Sequence, residues 1–167
     1  MKYLLLAIIA AAFFLAACSQ GMPPASSDML GRLNLPDPEG RPVGFSEHLG
    51  KDVVLVSFWA TFCKPCKNEM PFLQRLHEEY AAKGLYVLAI SSDGPDSEAQ
   101  VLPFLQRNGY TFPVVVDRSS EAGTLLNPKG GLPHLIVFDR SGREVLRQDG
   151  VLPGEQYQLE AFLKGLL

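Results

Sequence analysis

Cysteine is scarce in this chain, with three in 167 residues, and so are histidine, with three, and tryptophan, with one. A structural zinc site asks for four ligands, usually two cysteine pairs or one pair with two closely spaced histidines. His48, His77 and His134 are scattered without that spacing, so no metal is expected. Covalent haem attachment would need a histidine directly after a C-x-x-C pair, and position 67 is lysine. No P-loop or dinucleotide-binding glycine motif occurs. Basic runs never exceed two residues and formal net charge is −3, which gives a nucleic acid nothing to hold. Fixed-period repeats are missing, as is low-complexity sequence beyond the first thirty residues. What remains is ordinary: 47% hydrophobic and 20% charged residues, enough for one globular domain with a real core. It is expected to act as a monomer.

The N-terminus reads as a targeting segment. Lys2 supplies a positive start, and Leu4 to Ala17 form an apolar stretch rich in alanine and leucine. That stretch is shorter than the ~20 residues that span a bilayer, which favours a cleaved signal over a permanent membrane helix. Its end, Leu15-Ala16-Ala17-Cys18, resembles the bacterial lipoprotein signal, in which the cysteine is acylated and becomes the first mature residue. The expectation is a signal peptide over 1–17, a lipidated Cys18 with a flexible tether through residue 28, and a folded domain over 29–167. Removing residues 1–17 takes Lys2 with it and moves the net charge from −3 to −4. A ten-residue tether reaches ~18 Å, so the domain is expected close to the outer face of a bacterial membrane, on the periplasmic side in a two-membrane cell. Disulfides persist in that compartment, and with Cys18 lipidated the other two cysteines are left as a closed pair.

Strand and helix signals alternate along the domain. Leu33–Leu35 and Pro42–Phe45 flank a Pro36–Gly40 turn and read as an N-terminal β-hairpin. The runs 53–58, 85–90, 113–116 and 135–138 are apolar enough for buried strands, and 143–148 pairs with the last across Arg140-Ser141-Gly142. Helical spacing runs over 64–82, with Pro71 as a kink and Gly84 as a stop. Ser97 to Gln100 matches a capping box for a helix reaching Asn108, with Pro103 awkwardly inside. A last helix covers 155–167, with Leu159, Phe162, Leu163 and Leu166 on one face. Helices between near-continuous apolar strands argue for an α/β fold, a central mixed sheet covered on both faces.

Cys63 and Cys66 stand where the 53–58 strand gives way to the 64–82 helix. Unpaired N–H groups at a helix start favour a thiolate over a thiol, so Cys63 is expected to be the acidic, reactive sulfur. Cys66, three residues on, is within reach to attack any mixed disulfide that Cys63 makes. This is the geometry of a redox dithiol. The only cofactor expected is the Cys63–Cys66 disulfide itself.

The run Phe58-Trp59-Ala60-Thr61-Phe62-Cys63-Lys64-Pro65-Cys66, with Gly131-Leu132-Pro133 downstream, resembles a thioredoxin-like fold. Asp37 to Val43 and Gly50-Lys51 resemble its membrane-tethered TlpA/ResA-type branch, over about residues 30–165. The resemblance implies Cys63 as nucleophile and Cys66 as resolving thiol, with Lys64 helping Cys63 to ionise and Pro65 fixing the turn. It implies a cis bond before Pro133, so that Leu132 offers its backbone to an extended substrate strand. Trp59 would flank the active turn, shield Cys63 and contact substrate. Ser57 stands where cytosolic thioredoxins often carry a buried acid, so proton transfer to Cys66 needs another base. Asp93 and Asp96 are candidates, or else solvated turn acids; Glu69 is either a site-edge acid or a helix-surface residue. His134 departs from the usual small hydroxyl residue after the cis-proline, and packing is its expected role.

Rival readings are a lipid-anchored binding module with an inert disulfide, and a peroxidase on the same fold. A bridge closing a four-residue loop adds little stability, which argues against the first. The second needs a tight Pro/Thr/Arg surround that this sequence lacks. The expected function is an extracytoplasmic, membrane-anchored thiol–disulfide oxidoreductase, a reductant of protein disulfides, with a disulfide-forming oxidant as the alternative. By family analogy a membrane electron transporter of the DsbD/CcdA kind would rereduce it. Clients would be apocytochrome c thiols in cytochrome c biogenesis, other cysteine enzymes or copper-site proteins.

Overall fold

The computed structural model describes residues 26–151 and 154–167. The signal segment 1–17, Cys18 and the tether up to residue 25 lie outside the described residues. The tether was expected to run to residue 28, but helix α1, Ser26–Gly31, already occupies its end, and Ser27 and Leu30 are buried.

Five strands form one sheet in the order β3-β2-β1-β4-β5. They are β1 (Val53–Trp59), β2 (Leu85–Ser91), β3 (Val114–Val116), β4 (His134–Phe138) and β5 (Glu144–Gln148). β1, β2 and β3 run parallel, β4 runs antiparallel to β1, and β5 antiparallel to β4. Every residue of β1 is buried, as a central strand with both faces covered must be. Alternation splits its side chains between two layers. Val53, Leu55 and Trp59 pack with Met70, Leu73 and Leu76 of helix α2 (Lys64–Tyr80), Val101 and Leu105 of α3 (Val101–Asn108), and Leu159 and Leu163 of α5 (Gln156–Lys164). Val54, Val56 and Phe58 pack on the other face with Leu30, Ala122 and Leu126, the last two from α4 (Glu121–Leu126). Each such fully buried leucine contributes about 2 kcal/mol of apolar burial.

Several local expectations need correction. The N-terminal hairpin is a single antiparallel bridge, Pro36 to Pro42. Proline brings no N–H to a ladder, so two prolines facing each other cannot extend one. Its turn is held by the Asp37 carboxylate, which accepts from the N–H groups of Glu39 at 2.9 Å and Arg41 at 2.8 Å. The segment is tied to the sheet at one point, where Val116 N–H donates to the Pro36 carbonyl at 2.8 Å. The capping box does not form: Ser97 makes no side-chain cap bond, and Glu98–Gln100 is a 3-10 turn leading into α3. Pro103 is then the third residue of α3, in the first turn, where a missing N–H costs little. On α5, Leu159 and Leu163 face the core while Phe162 stays 39% exposed. Sequence patterning missed α1 and α4 altogether.

Candidate active site

The strand-to-helix junction is built as its sequence order suggests. β1 ends at Trp59, Cys63 N–H donates to the Ala60 carbonyl at 3.0 Å, and α2 starts at Lys64. Cys63 is the N-cap residue, extended at φ −82° and ψ 101°, and its Sγ accepts from Cys66 N–H at 3.2 Å. A sulfur thus takes the capping role usually filled by an oxygen, facing one of the helix's orphan donors. Pro65 sits in the first turn, where its fixed φ suits the helix and its lack of an N–H is harmless. Cys63 and Cys66 are joined as a disulfide, with Cα atoms 5.3 Å apart. The two sulfur residues differ in access: Cys63 is 8% exposed and Cys66 1%. Lys64 points into solvent.

The Leu132–Pro133 bond is cis, and the β1–β4 ladder ends one residue later, at Phe58 opposite His134. Leu132 therefore lies beyond the ladder, half-buried between the two cores. A groove of about 380 Å³ runs beside this point, lined by Pro65, Asn68, Glu69, Pro133, Gly150 and Val151 among others.

The three candidate acids separate clearly. Asp96 is exposed. Asp93 is 1% exposed and fully engaged: it accepts from Thr61 N–H at 2.9 Å, Thr61 Oγ1–H at 2.5 Å and Ser91 Oγ–H at 2.8 Å. It anchors the loop that carries the cysteines through Thr61. Glu69, one helical turn past Cys66, is neither at the surface nor paired with a cation. It is 3% exposed, accepts a long hydrogen bond from Ser57 Oγ–H at 3.4 Å, and its Oε1 has no partner among the described residues. Burial pushes its carboxyl up to about 7, against smaller opposing pulls from the Ser57 hydroxyl and the Val151 backbone N–H. An acid held there can take or give a proton near neutrality.

Trp59 is a correction. It is fully buried, with its ring 5.4 Å from that of Phe104, so it backs the disulfide from inside and meets no substrate. The aromatic exposed beside the cysteines is Phe62, at 68%, which sequence reading passed over although it directly precedes Cys63. His134 is 6% exposed, on the sheet face away from the cysteines, with its ring 6.2 Å from that of Phe58. The groove's far wall, Asp149-Gly150-Val151, was also missed; the only signal was a glycine just after the last strand. No group of three or more metal-ligating side chains occurs among the described residues, and no described helix is long and apolar enough to cross a membrane.

Comparison with known proteins places these features in company. Residues 27–145 match the AhpC/TSA family. The thiol-disulfide oxidoreductase ResA of Geobacillus thermodenitrificans is 38% identical over 111 residues, which is 65% of this chain and 60% of that protein. ResA of Bacillus thuringiensis is 35% identical over 129 residues, 77% of this chain and 70% of that protein. The match thus leaves 40% of the first relative and 30% of the second uncovered. A crystal structure assigned as thiol:disulfide interchange protein DsbE of Chlorobium tepidum superposes with a TM-score of 0.71 at 29% identity, covering 80% of this chain and 92% of that one. The exposed lipoprotein thioredoxin Etrx1 of Streptococcus pneumoniae superposes with a TM-score of 0.64 at 27% identity, covering 80% of this chain and 98% of that one.

Proposed function

We propose that this chain, which belongs to the AhpC/TSA family and has its thioredoxin-like fold, is a thiol–disulfide oxidoreductase that reduces disulfides in protein clients outside the cytoplasm. The observation that carries this reading is the Cys63–Cys66 disulfide at the mouth of α2, with Pro65 between the two cysteines lining the groove that holds cis-Pro133 and Glu69. In the reduced protein the Cys63 sulfur, facing the helix N–H groups, is the anion. It attacks one sulfur of a client disulfide held in line with the Leu132 backbone, and the client's other sulfur leaves as a thiolate and takes up a proton. Glu69, ionised, receives the Cys66 proton. The Cys66 sulfur then displaces the client from Cys63, and the client leaves with both sulfurs reduced. Two electrons have moved, and the enzyme is left in the oxidised form seen here.

The same reading assigns Cys18 as the lipid anchor and the outer face of a membrane as the place of work; the lipoprotein relative Etrx1 supports it. It assigns rereduction to a membrane electron transporter of the DsbD/CcdA kind, and maturation of cytochrome c thiols as a setting for its clients. Insulin reduction tests the chemistry: activity should vanish in Cys63→Ser, and Glu69→Gln should release mixed disulfides about a hundredfold more slowly. Titration against glutathione tests the direction. A potential near about −270 mV fits a reductant, and one near about −120 mV would assign an oxidant instead. Cys66→Ala, which holds the mixed disulfide, should trap the client in cells.

A further inference from the structure

His134 follows the cis-proline directly and takes no part in the exchange chemistry, yet its ring is bonded at both nitrogens. Nδ1 lies 2.9 Å from Asp149 Oδ1, and Nε2 lies 3.5 Å from Arg147 Nη1. Arginine can only donate, so Nε2 is the accepting nitrogen and Nδ1 carries the proton that is given to Asp149. Arg147 is itself fixed, with Nε and Nη2 on the Glu144 carboxylate at 2.6 and 2.7 Å and Nη1 on the Leu126 carbonyl. A buried ring braced from behind thus holds a carboxylate whose side chain is 70% exposed.

That carboxylate belongs to the far wall of the active groove. After β5 ends at Gln148, Asp149-Gly150-Val151 turns over Pro133. Gly150 takes φ +73°, and a Cβ there would stand 3.0 Å from Pro133 Cγ, so the backbone is pressed against the proline ring. The next residue, Val151, lines the same groove as Glu69. The chain runs from the His134 ring through the Asp149 carboxylate and Gly150 over Pro133 to Val151, which shares the groove with Glu69.

We infer that His134 is a positioning residue, which through Asp149 holds the 149–151 wall against Pro133 and keeps the groove wall beside Glu69 in place. The inference deepens the proposed role of Glu69 and rests on it for its meaning in catalysis. Around Glu69, the titratable groups are the cysteine pair on its own helix and Asp149 on the facing wall; β1 contributes the neutral Ser57 and α5 the neutral Gln156. Around His134 they are Asp149 and Arg147, with Lys129 across the adjoining cavity of about 230 Å³.

The test reads Glu69 directly. The side-chain carboxyl of Glu69 is followed by carbon NMR against pH in the oxidised protein, where the cysteines cannot titrate. Two pairs of variants keep charge constant within each pair. His134→Asn retains an N–H at the position of Nδ1 and His134→Ala does not; Asp149→Asn retains the Oδ1 acceptor and Asp149→Ala does not. Loss of the bond should loosen the wall that keeps water from the Glu69 carboxyl and lower its midpoint by up to about one pH unit, so each alanine variant should titrate below its asparagine counterpart. Equal midpoints within either pair, or an alanine variant titrating above its asparagine counterpart, overturn the inference, and the Asp149 pair, at an exposed position, remains folded if the buried His134 pair does not. Because the readout is a titration and not turnover, it stands apart from the fate of the catalytic reading. A Glu69→Gln enzyme of full activity would remove Glu69 from the mechanism and leave the His134 result as it is.

Discussion

Glu69 places a pH-dependent weakness in the fold, and its size follows from burial. A glutamate ordinarily titrates near 4.5, and here the carboxyl titrates at about 7 because the ionised form has lost its water. Below pH ~4.5 the group is protonated whether the chain is folded or not, so it makes no difference to stability. Between ~4.5 and ~7 the unfolded chain has released this proton and the folded one has kept it, so stability falls as pH rises. Above ~7 the folded protein carries a buried anion, at a cost of about 3 kcal/mol, since each pH unit is worth ~1.4 kcal/mol. Glu69→Gln keeps the shape and cannot ionise. Packing and hydrogen-bond differences of the amide are the same at every pH, so they shift the curve without changing its slope. The expectation in urea unfolding, with the Cys63–Cys66 disulfide kept oxidised, is that the variant gains on the parent by about 3 kcal/mol between pH 4 and pH 8.5. Curves that stay parallel across that range would refute the reasoning.

Three further outcomes follow from the site. Asp93→Ala leaves the buried Thr61 N–H and hydroxyl without their acceptor and should cost about 3 kcal/mol in urea unfolding, with Asp93→Asn costing less. Gly150→Ala forces a side chain into the left-handed region and against Pro133, and should lose about 2 kcal/mol by the same measurement. Phe62→Ala, at an exposed position, should leave stability within ~0.5 kcal/mol while raising KM for peptide disulfides, as steady-state kinetics would show.

The sheet and its cysteines were legible because their signals are local. Apolar runs bounded by glycine and proline mark β1, β2 and β4, and a C-x-x-C pair at a strand–helix junction announces its own chemistry. The acid was not legible in the same way. Glu69 stands in a helix directly after Lys67 and Asn68, and nothing nearby says that Ser57 of β1 and the 149–151 wall lie beside it. Asp93 looks like any turn acid until Thr61, 32 residues earlier, is seen to lie against it. Trp59 left its expected place beside the substrate because strand alternation continues to it and turns it into the core, while Phe62, given no role, sits exposed in the turn beyond. Short helices such as α4 carry too few turns for periodicity to show, and Gly123 and Thr124 weaken even that.

The two margins of the sheet are unequal. On the β3 side, the Pro36 carbonyl already occupies Val116 N–H, and prolines at 36 and 42 bring no further donors to that border. On the other side β5 has β4 as its one strand neighbour, and Glu144 and Arg147 lock their charges together along it. A foreign strand seeking to join this molecule, whether a docking peptide or a copy beginning a filament, therefore finds one border closed and the other guarded by ions. That asymmetry turns edge-to-edge strand addition away from both borders of the sheet.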